Sequence, residues 1–167
     1  MSDSTPSETM TPSETTTPSE TTTLCTYDTP VREDWIDYNG HLSEAYYVLV
    51  FGFATDTAMD TLGLGAGYRE ETGCSLYTVE AHVRYLQEVD RDAHLRVRTL
   101  LVGDAEKKLH LAHEMYVGDD LVATEEILGI HVDQGDGRAT VLPEATRASA
   151  VEHTVPAPAW VGRSVAI

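Results

Sequence analysis

Residues 35–47 hold the densest set of side chains that could perform chemistry. They read Trp-Ile-Asp-Tyr-Asn-Gly-His-Leu-Ser-Glu-Ala-Tyr-Tyr, so that Asp37, Asn39 and His41 alternate around Gly40. A carboxylate, an amide and an imidazole beside free backbone N–H groups suit general base catalysis at a carbonyl carbon and stabilisation of its oxygen. The alternative is structural, because Asp and Asn often do no more than cap a turn.

A strand and a long helix are predicted to hold this turn in place. Residues 24–32 are typical of a first strand, and Ser43 can cap a helix that runs to about residue 62. The helix is apolar on almost every side, which favours a buried helix over a surface one. Glycines at positions 63, 65 and 67 are expected to end it.

The rest of the chain alternates with the period of a β-strand. Apolar and polar residues alternate one by one in residues 77–85, 95–101, 109–115 and 122–130. Turn signals separate these segments at Gly103-Asp104, Gly118-Asp119-Asp120 and Gly135-Asp136-Gly137. The pattern predicts an antiparallel meander with one wetter face, wrapped on one helix in an α+β fold. The open sheet edges favour dimerisation.

Three regions differ in composition. Residues 1–23 repeat Thr-Pro-Ser-Glu-Thr and lack the apolar side chains that could offset the entropy of ordering, so we expect a disordered tail. Residues 24–142 form the predicted domain. Residues 143–167 are expected to form a short helix and an irregular tail.

Charge and cysteine content narrow the possible partners. The chain carries 28 acidic and 11 basic residues, a net charge of −17, which disfavours nucleic acid and anionic membranes. Its two cysteines are too few for a disulfide framework, its start does not resemble a signal peptide, and its longest uncharged run is too short to cross a bilayer. We therefore expect a cytoplasmic protein.

The turn and its surroundings resemble a known family. Asp37-Tyr38-Asn39-Gly40 is similar to the Asp-x-x-Gly turn before the central helix of hotdog-fold thioesterases, in the 4-hydroxybenzoyl-CoA thioesterase-like branch. With His41 it also matches the Asp-x-Asn-x-His motif of plant acyl-ACP thioesterases. Residues 34–41, 75–80, 84–86 and 108–111 resemble betainyl-CoA thioesterases of carnitine breakdown. Hydratase-type hotdog enzymes place the histidine one position later, which speaks against hydration of enoyl-CoA.

This resemblance implies a hotdog-fold acyl-CoA thioesterase over about residues 28–142, with betainyl-CoA as the favoured substrate. It makes Asp37 the base or nucleophile and the amides around Gly40 and His41 the donors to the carbonyl oxygen, with Asn39 orienting water or substrate. Hotdog sites form between subunits and use the helix of one and a strand of the other, so Glu80 is a candidate for a second catalytic carboxylate. Its alternative role is a solvated strand face.

Substrate-binding residues follow from the implied substrate. A betaine cation needs aromatic faces or carboxylates, and the candidates are Trp35, Tyr38, Tyr46, Tyr47 and Tyr77. Each of them could instead be a core residue. The CoA phosphates would suit Arg84, Arg96, Arg98, Lys107 or Lys108, although ordinary surface charge also explains these residues.

Cofactors, oligomeric state and rival functions complete the expectation. We expect a homodimer or a tetramer, and no cofactor beyond the CoA of the substrate. No metal is expected, because His110 and His113 are three apart on a strand and so face opposite sides. The rival functions are a thioesterase for short-chain or aromatic acyl groups and a non-catalytic acyl-CoA-binding hotdog protein.

Overall fold

Six strands and three α-helices follow a short entry segment in this computed structural model, which describes residues 22–163 and residue 165. Nearly all of the predicted tail therefore lies outside the described residues. The strands are β1 (Cys25–Pro30), β2 (Cys74–Tyr85), β3 (His94–Ala105), β4 (Lys108–Val117), β5 (Asp120–Asp133) and β6 (Arg138–Ala139). The helices are α1 (Glu44–Thr61), α2 (Ala66–Thr72) and α3 (Glu144–His153), and a 3-10 helix spans Glu33–Trp35.

The strands form one antiparallel sheet in the order β1-β3-β4-β5-β2, and β6 pairs with β5. The predicted meander is correct for β3, β4 and β5, which are joined by short turns. It is wrong for β2, which lies at the far edge beside β5. Residues 86–93 carry the chain from β2 across to β3, so no tight turn forces these two strands together.

Two of the three register shifts in the sheet bear on the predicted turns and faces, and the third falls between Met115 and Tyr116. The Gly103-Asp104 pair lies inside β3, where the register shifts between Leu101 and Gly103, so the predicted turn is a β-bulge. A second shift falls between Thr78 and Glu80 on β2. Strict alternation along residues 77–85 predicts that Thr78 and Glu80 share a face, but the shift makes them point to opposite faces, so this prediction is wrong.

Helix α1 packs on the inner face of the sheet and starts where the sequence predicts. Val50, Phe51 and Ala54 are buried against the sheet. We expected α1 to be buried on all sides. In the single chain this is wrong, because Val48, Leu49 and Phe53 of α1 are exposed. The predicted glycine stop at Gly63 is followed by α2, which the sequence did not indicate and which includes Gly67.

Burial on β5 does not follow the predicted alternation. Alternation in residues 122–130 predicts that Leu128 and Ile130 lie on the buried face. The more buried residues, on the face towards α1, instead include Glu125, Ile127 and His131. Residues 154–163 cross the outer face of the sheet, where Trp160 Nε1 donates to Glu114 Oε1 over 3.3 Å. Because both faces are covered there, polarity alone could not reveal which face packs against α1. His110 and His113 do face opposite sides, as predicted.

Candidate active site

The turn before α1 is held by Asp37. Its Oδ1 accepts a 2.7 Å hydrogen bond from the Asn39 backbone N–H, and its carbonyl accepts one of 3.1 Å from Gly40. Gly40 has a φ of 89°, which disfavours any side chain there. The turn-capping role considered from the sequence is therefore real. It does not exclude chemistry, because an ionised carboxylate has further lone pairs to offer.

The first turn of α1 opens beside this carboxylate. The leading N–H groups of a helix have no intrahelical acceptor. Ser43 occupies the N-cap position as predicted, yet within the described residues its hydroxyl makes no cap hydrogen bond. These N–H groups thus stay available to an anion or a polarised carbonyl oxygen, and the helix dipole favours negative charge at this end.

A cavity of about 410 Å³ joins the turn, the start of α1 and the connection after β2. Its lining residues are Asp37, Asn39, His41, Leu42, Glu44, Tyr47, Tyr85, Leu86, Gln87 and Glu88. The structure thus brings together the predicted Asp37, Asn39 and His41, with Gly40 in the same turn. Tyr85, Gln87 and Glu88 were not predicted, because their approach depends on β2 ending beneath the start of α1.

The residues that line the cavity carry an excess of negative charge. Asp37, Glu44 and Glu88 line it, and none of its described lining residues is a lysine or arginine. The His41 Nε2 lies 3.6 Å from Glu88 Oε2 and 3.7 Å from Asp90 Oδ1. A cation is therefore attracted to this cavity, whereas an anion is repelled from it.

Two tyrosines form one wall of the cavity. The rings of Tyr47 and Tyr85 meet edge to face with centroids 5.3 Å apart, and the Tyr47 hydroxyl donates to the Gln87 carbonyl over 3.2 Å. Burial raises the pKa of both hydroxyls, and nearby carboxylates, Glu88 for Tyr47 and Glu44 for Tyr85, raise it further. Both hydroxyls are therefore neutral near pH 7. Tyr85 is 48% exposed and can offer its ring to a cation, whereas Tyr47 is 4% exposed and contributes the buried part of this wall.

The other predicted aromatic residues lie elsewhere. Trp35 is buried and stacks on Tyr46 with centroids 5.6 Å apart, which is the core role considered as the alternative. Tyr38 is 96% exposed at the tip of the turn. The Tyr77 hydroxyl accepts a hydrogen bond from Gln134 at the opposite end of β2. Of the five candidates, Tyr47 is the one that the described chain places in the cavity wall.

Glu80 and the predicted phosphate ligands also lie away from Asp37 within one chain. Glu80 is on the outer face, in a second cavity of about 420 Å³ that it shares with His82, His110 and Glu126. Arg84 is on the same face by its register with Thr124. Lys107 and Lys108 are at the start of β4, at the far end of the sheet, where Lys107 Nζ donates to the Ala139 carbonyl. Their roles in a site shared by two subunits stay predictions.

Two buried titratable residues lie beneath α1 and were not predicted. Glu125 and His113 face each other across β5 and β4 on the inner face. Burial raises the pKa of Glu125 to about 7 and lowers that of His113 to about 3. The His113 ring nitrogens lie 2.9 Å from Thr99 Oγ1 and 3.1 Å from Thr55 Oγ1, which hold the neutral ring. Charged residues inside a predicted strand are the signal that could have drawn attention to Glu125.

The described part of the chain contains no group of three or more His, Cys, Asp or Glu side chains placed to hold a metal ion. None of its helices is long and apolar enough to cross a bilayer.

The fold is that of hotdog thioesterases, a curled antiparallel sheet around a central helix. A Staphylococcus aureus hypothetical protein in complex with CoA aligns with a TM-score of 0.79 and 26% identity over 85% of this chain and 94% of that one. A candidate thioesterase of Pseudomonas putida KT2440 aligns with a TM-score of 0.73 and 34% identity over 84% and 94%. The predicted hotdog fold is confirmed.

The chain belongs to the thioesterase-like superfamily, whose model matches residues 31–150. The betainyl-CoA thioesterase of Pseudomonas aeruginosa is 39% identical over 152 residues, which cover 86% of this chain and 95% of that protein. The L-carnitine dehydrogenase/betainyl-CoA thioesterase of Agrobacterium fabrum is 42% identical over 120 residues, and the match spans 25% of that longer protein. The predicted family is confirmed.

Proposed function

We propose that this protein hydrolyses betainyl-CoA to betaine and CoA. The observation that carries the choice of acyl group is the cavity at the start of α1, which combines three carboxylates with the faces of Tyr47 and Tyr85. Betainyl-CoA carries a fixed positive charge next to its thioester. The similarity to the betainyl-CoA thioesterase of Pseudomonas aeruginosa supports the same substrate, and membership of the thioesterase-like superfamily supports thioester hydrolysis.

The geometry suggests how the reaction proceeds. The thioester carbonyl oxygen accepts hydrogen bonds from the N–H groups at the start of α1, which stabilise the negative charge that develops on it. Asp37 acts on the carbonyl carbon, either by removing a proton from the attacking water or by attacking the carbon itself. Asn39 orients the water or the substrate, and His41 contacts the carbonyl or shares the proton transfer. Hydrolysis breaks the C–S bond and forms a C–O bond to water: the water supplies one carboxylate oxygen of betaine, one of its protons goes to the released CoA thiol, and the other is released to solvent.

Selectivity for the cation is the first test. The positive charge gains from cation–π contacts worth about 0.5–2 kcal/mol each, in addition to the attraction of the carboxylates. 3,3-Dimethylbutyryl-CoA has the same shape without the charge. We expect kcat/KM for betainyl-CoA to exceed that for the neutral analogue by at least about tenfold, which corresponds to about 1.4 kcal/mol.

The measurement is release of CoA thiol at equal concentrations of the two substrates. Equal values, or a preference for the neutral compound, would leave a thioesterase for short-chain or aromatic acyl groups. Binding of acyl-CoA without thiol release would instead identify a non-catalytic acyl-CoA-binding protein.

The active unit is proposed to be a homodimer, or a tetramer built from dimers, with acyl-CoA as its ligand. Strand β2 is at the edge of the sheet, and its Val79 is 53% exposed. Val48 and Leu49 of α1 are exposed apolar residues as well. Such an apolar edge pairs readily with a second copy. The second copy would also bring its own Glu80 and Arg84 towards the subunit boundary.

A charge on this edge tests the dimer. We expect Val79→Lys to shift the protein to the monomer, because a lysine on an edge strand opposes pairing. Val151→Lys is the matched control, since Val151 is 72% exposed on α3. Sedimentation velocity of the two variants and the wild type is the measurement. A dimer unchanged by Val79→Lys would place the contact on another surface.

The phosphates of CoA are proposed to bind outside the cavity at the start of α1. The acidic cavity cannot hold the CoA phosphates, so Arg84, Lys107 and Lys108 are the proposed ligands, supplied across the dimer. CoA is part of the substrate, and no other cofactor is proposed. We propose the cytoplasm as the location, which suits the two free cysteines Cys25 and Cys74.

A further inference from the structure

Glu125 is a buried carboxylate next to the wall of the active-site cavity. It is 4% exposed on the inner face of β5. Val83 is directly opposite it on β2, and Tyr85 is opposite Ala123, one step further along the same face. Such diagonal neighbours are about 7–8 Å apart at the backbone, within reach of long side chains. Glu125 therefore lies behind Tyr85 as seen from the cavity, on the face of the sheet that α1 covers.

The described part of the fold shows no partner for this carboxylate. The residues that the structure describes form no hydrogen bond or ion pair with Glu125, and its oxygens are not among the fully enclosed side-chain atoms that lack a partner, so they keep a small opening. His113, its neighbour on β4, already has threonine hydroxyls at both ring nitrogens. Burying a carboxylate without a partner opposes folding. A residue that weakens the fold in this way calls for a role in binding.

We propose that Glu125 is the counter-ion of the quaternary ammonium in the substrate's acyl group, an inference that rests on the proposed betainyl-CoA hydrolysis. A quaternary ammonium has no N–H, so its counter-ion needs closeness and a dry environment but no hydrogen-bond geometry. One methylene separates the nitrogen from the thioester carbonyl carbon. With the carbonyl at the start of α1, the ammonium lies against Tyr47 and Tyr85, on the side where Glu125 is buried.

Depth distinguishes Glu125 from the carboxylates of the cavity rim. The Glu88 side chain is 79% exposed, and Glu44 is also exposed. Water and salt screen a charge in such a position, so it attracts a cation weakly. An unpaired charge in a dry environment attracts a cation much more strongly. Discrimination between a charged and a neutral acyl group should therefore depend mainly on Glu125.

The groups around Glu125 give this role a recognisable pH dependence. His113 on β4 is neutral, Tyr85 on β2 and Tyr47 on α1 have raised pKa values, and Glu44 lies beyond Tyr85. Burial raises the pKa of Glu125 to about 7. Because only the ionised carboxylate attracts the ammonium, KM for betainyl-CoA should fall as the pH rises through about 7, while KM for the neutral analogue should not.

The test compares Glu125→Gln with Glu126→Gln, the neighbouring residue on the outer face. Each variant and the wild type are assayed with betainyl-CoA and with 3,3-dimethylbutyryl-CoA. We expect Glu125→Gln to lower the ratio of the two kcat/KM values at least tenfold, mainly through KM of the charged substrate, and to abolish the fall in KM across pH 7. Glu126→Gln should retain both. If Glu125→Gln fails to fold, Glu125→Met carries the same expectation.

The outcomes separate this inference from the proposed function. A wild type that does not hydrolyse betainyl-CoA, or does not prefer it, overturns the proposed function itself. A wild type that prefers betainyl-CoA, and a Glu125→Gln variant that keeps both the preference and the pH dependence, overturn the role of Glu125 alone. Equal losses in kcat for both substrates would also overturn it, since they would indicate damage to the catalytic machinery.

Discussion

Asp37→Asn is expected to lower kcat for betainyl-CoA by about 10²-fold or more, the usual scale for a group that transfers a proton in the rate-limiting step. An amide can neither accept a proton from water nor attack a thioester. The loss of kcat should also appear with the neutral analogue, because Asp37 acts on the thioester that both substrates share; its contribution to attracting the ammonium should appear separately, as a higher KM for betainyl-CoA. Steady-state release of CoA thiol with both substrates measures it.

The structure makes this substitution a clean one. An amide oxygen at position 37 can still accept the 2.7 Å hydrogen bond from the Asn39 N–H, so the turn is expected to persist. Asp34→Asn is the matched control, because Asp34 is a nearby exposed carboxylate that pairs with Arg32 and does not line the cavity. Turnover near that of the wild type in folded Asp37→Asn would show that Asp37 only caps the turn.

Local sequence patterns predicted the part of the site that one segment builds. Asp37, Asn39 and His41 lie within five residues, and the turn and the start of α1 depend on neighbours along the chain. The strands were predicted for the same reason, since alternation is a local property. The strands, the start of α1 and the grouping of Asp37, Asn39 and His41 could therefore be predicted without knowing the order of strands in the sheet.

The opposite wall of the cavity could not be predicted in this way. Tyr85 and Glu88 reach it because β2 pairs with β5, and the order of strands in a sheet is not encoded in their alternation. The shift between Thr78 and Glu80 then reversed the face of every residue that precedes it on β2. Tyr77 thus lies on the other face from Tyr85 as well as at the other end of β2, whereas Tyr85, which the sequence did not single out, lines the cavity.

Burial also separated aromatic residues that look alike in the sequence. Trp35 and Tyr46 pack together in the core, and Tyr47 borders the cavity, although all three are close along the chain. Glu125 and Glu126 differ in the same way. Glu126 bonds to His82 and His110 on the outer face, while Glu125 is buried without a partner among the described residues. The packing of α1 against the inner face explains why Glu125 is shielded from water while the adjacent Glu126 is not.

The buried histidine beneath α1 should make the protein sensitive to acid. Burial holds the pKa of His113 at about 3, against 6.5 in the unfolded chain. Between these values the unfolded state binds more protons than the folded state, so stability is fully present above about pH 6.5 and is lost as the pH falls. The loss attributable to His113 between pH 7 and pH 4 is about 3 kcal/mol of unfolding free energy.

Urea unfolding of the wild type and of His113→Gln across this pH range measures that loss. Glutamine can bond to Thr99 and Thr55 but does not titrate, so its free energy of unfolding should fall less steeply towards pH 4. His94→Gln, at an exposed position on β3, should follow the wild type. Parallel curves for His113→Gln and the wild type would show that His113 is protonated in the folded protein near its ordinary pKa.

Glu125 should act with the opposite sign. Its pKa is about 7 in the folded protein and 4.5 in the unfolded chain, so the folded state binds more protons between these values. The stability of the wild type relative to Glu125→Gln should therefore fall as the pH rises from about 4.5 to 7, by about 3 kcal/mol. With His113→Gln as the background, this opposing trend should be seen alone. Its absence would show that Glu125 finds a partner or water in solution and ionises normally.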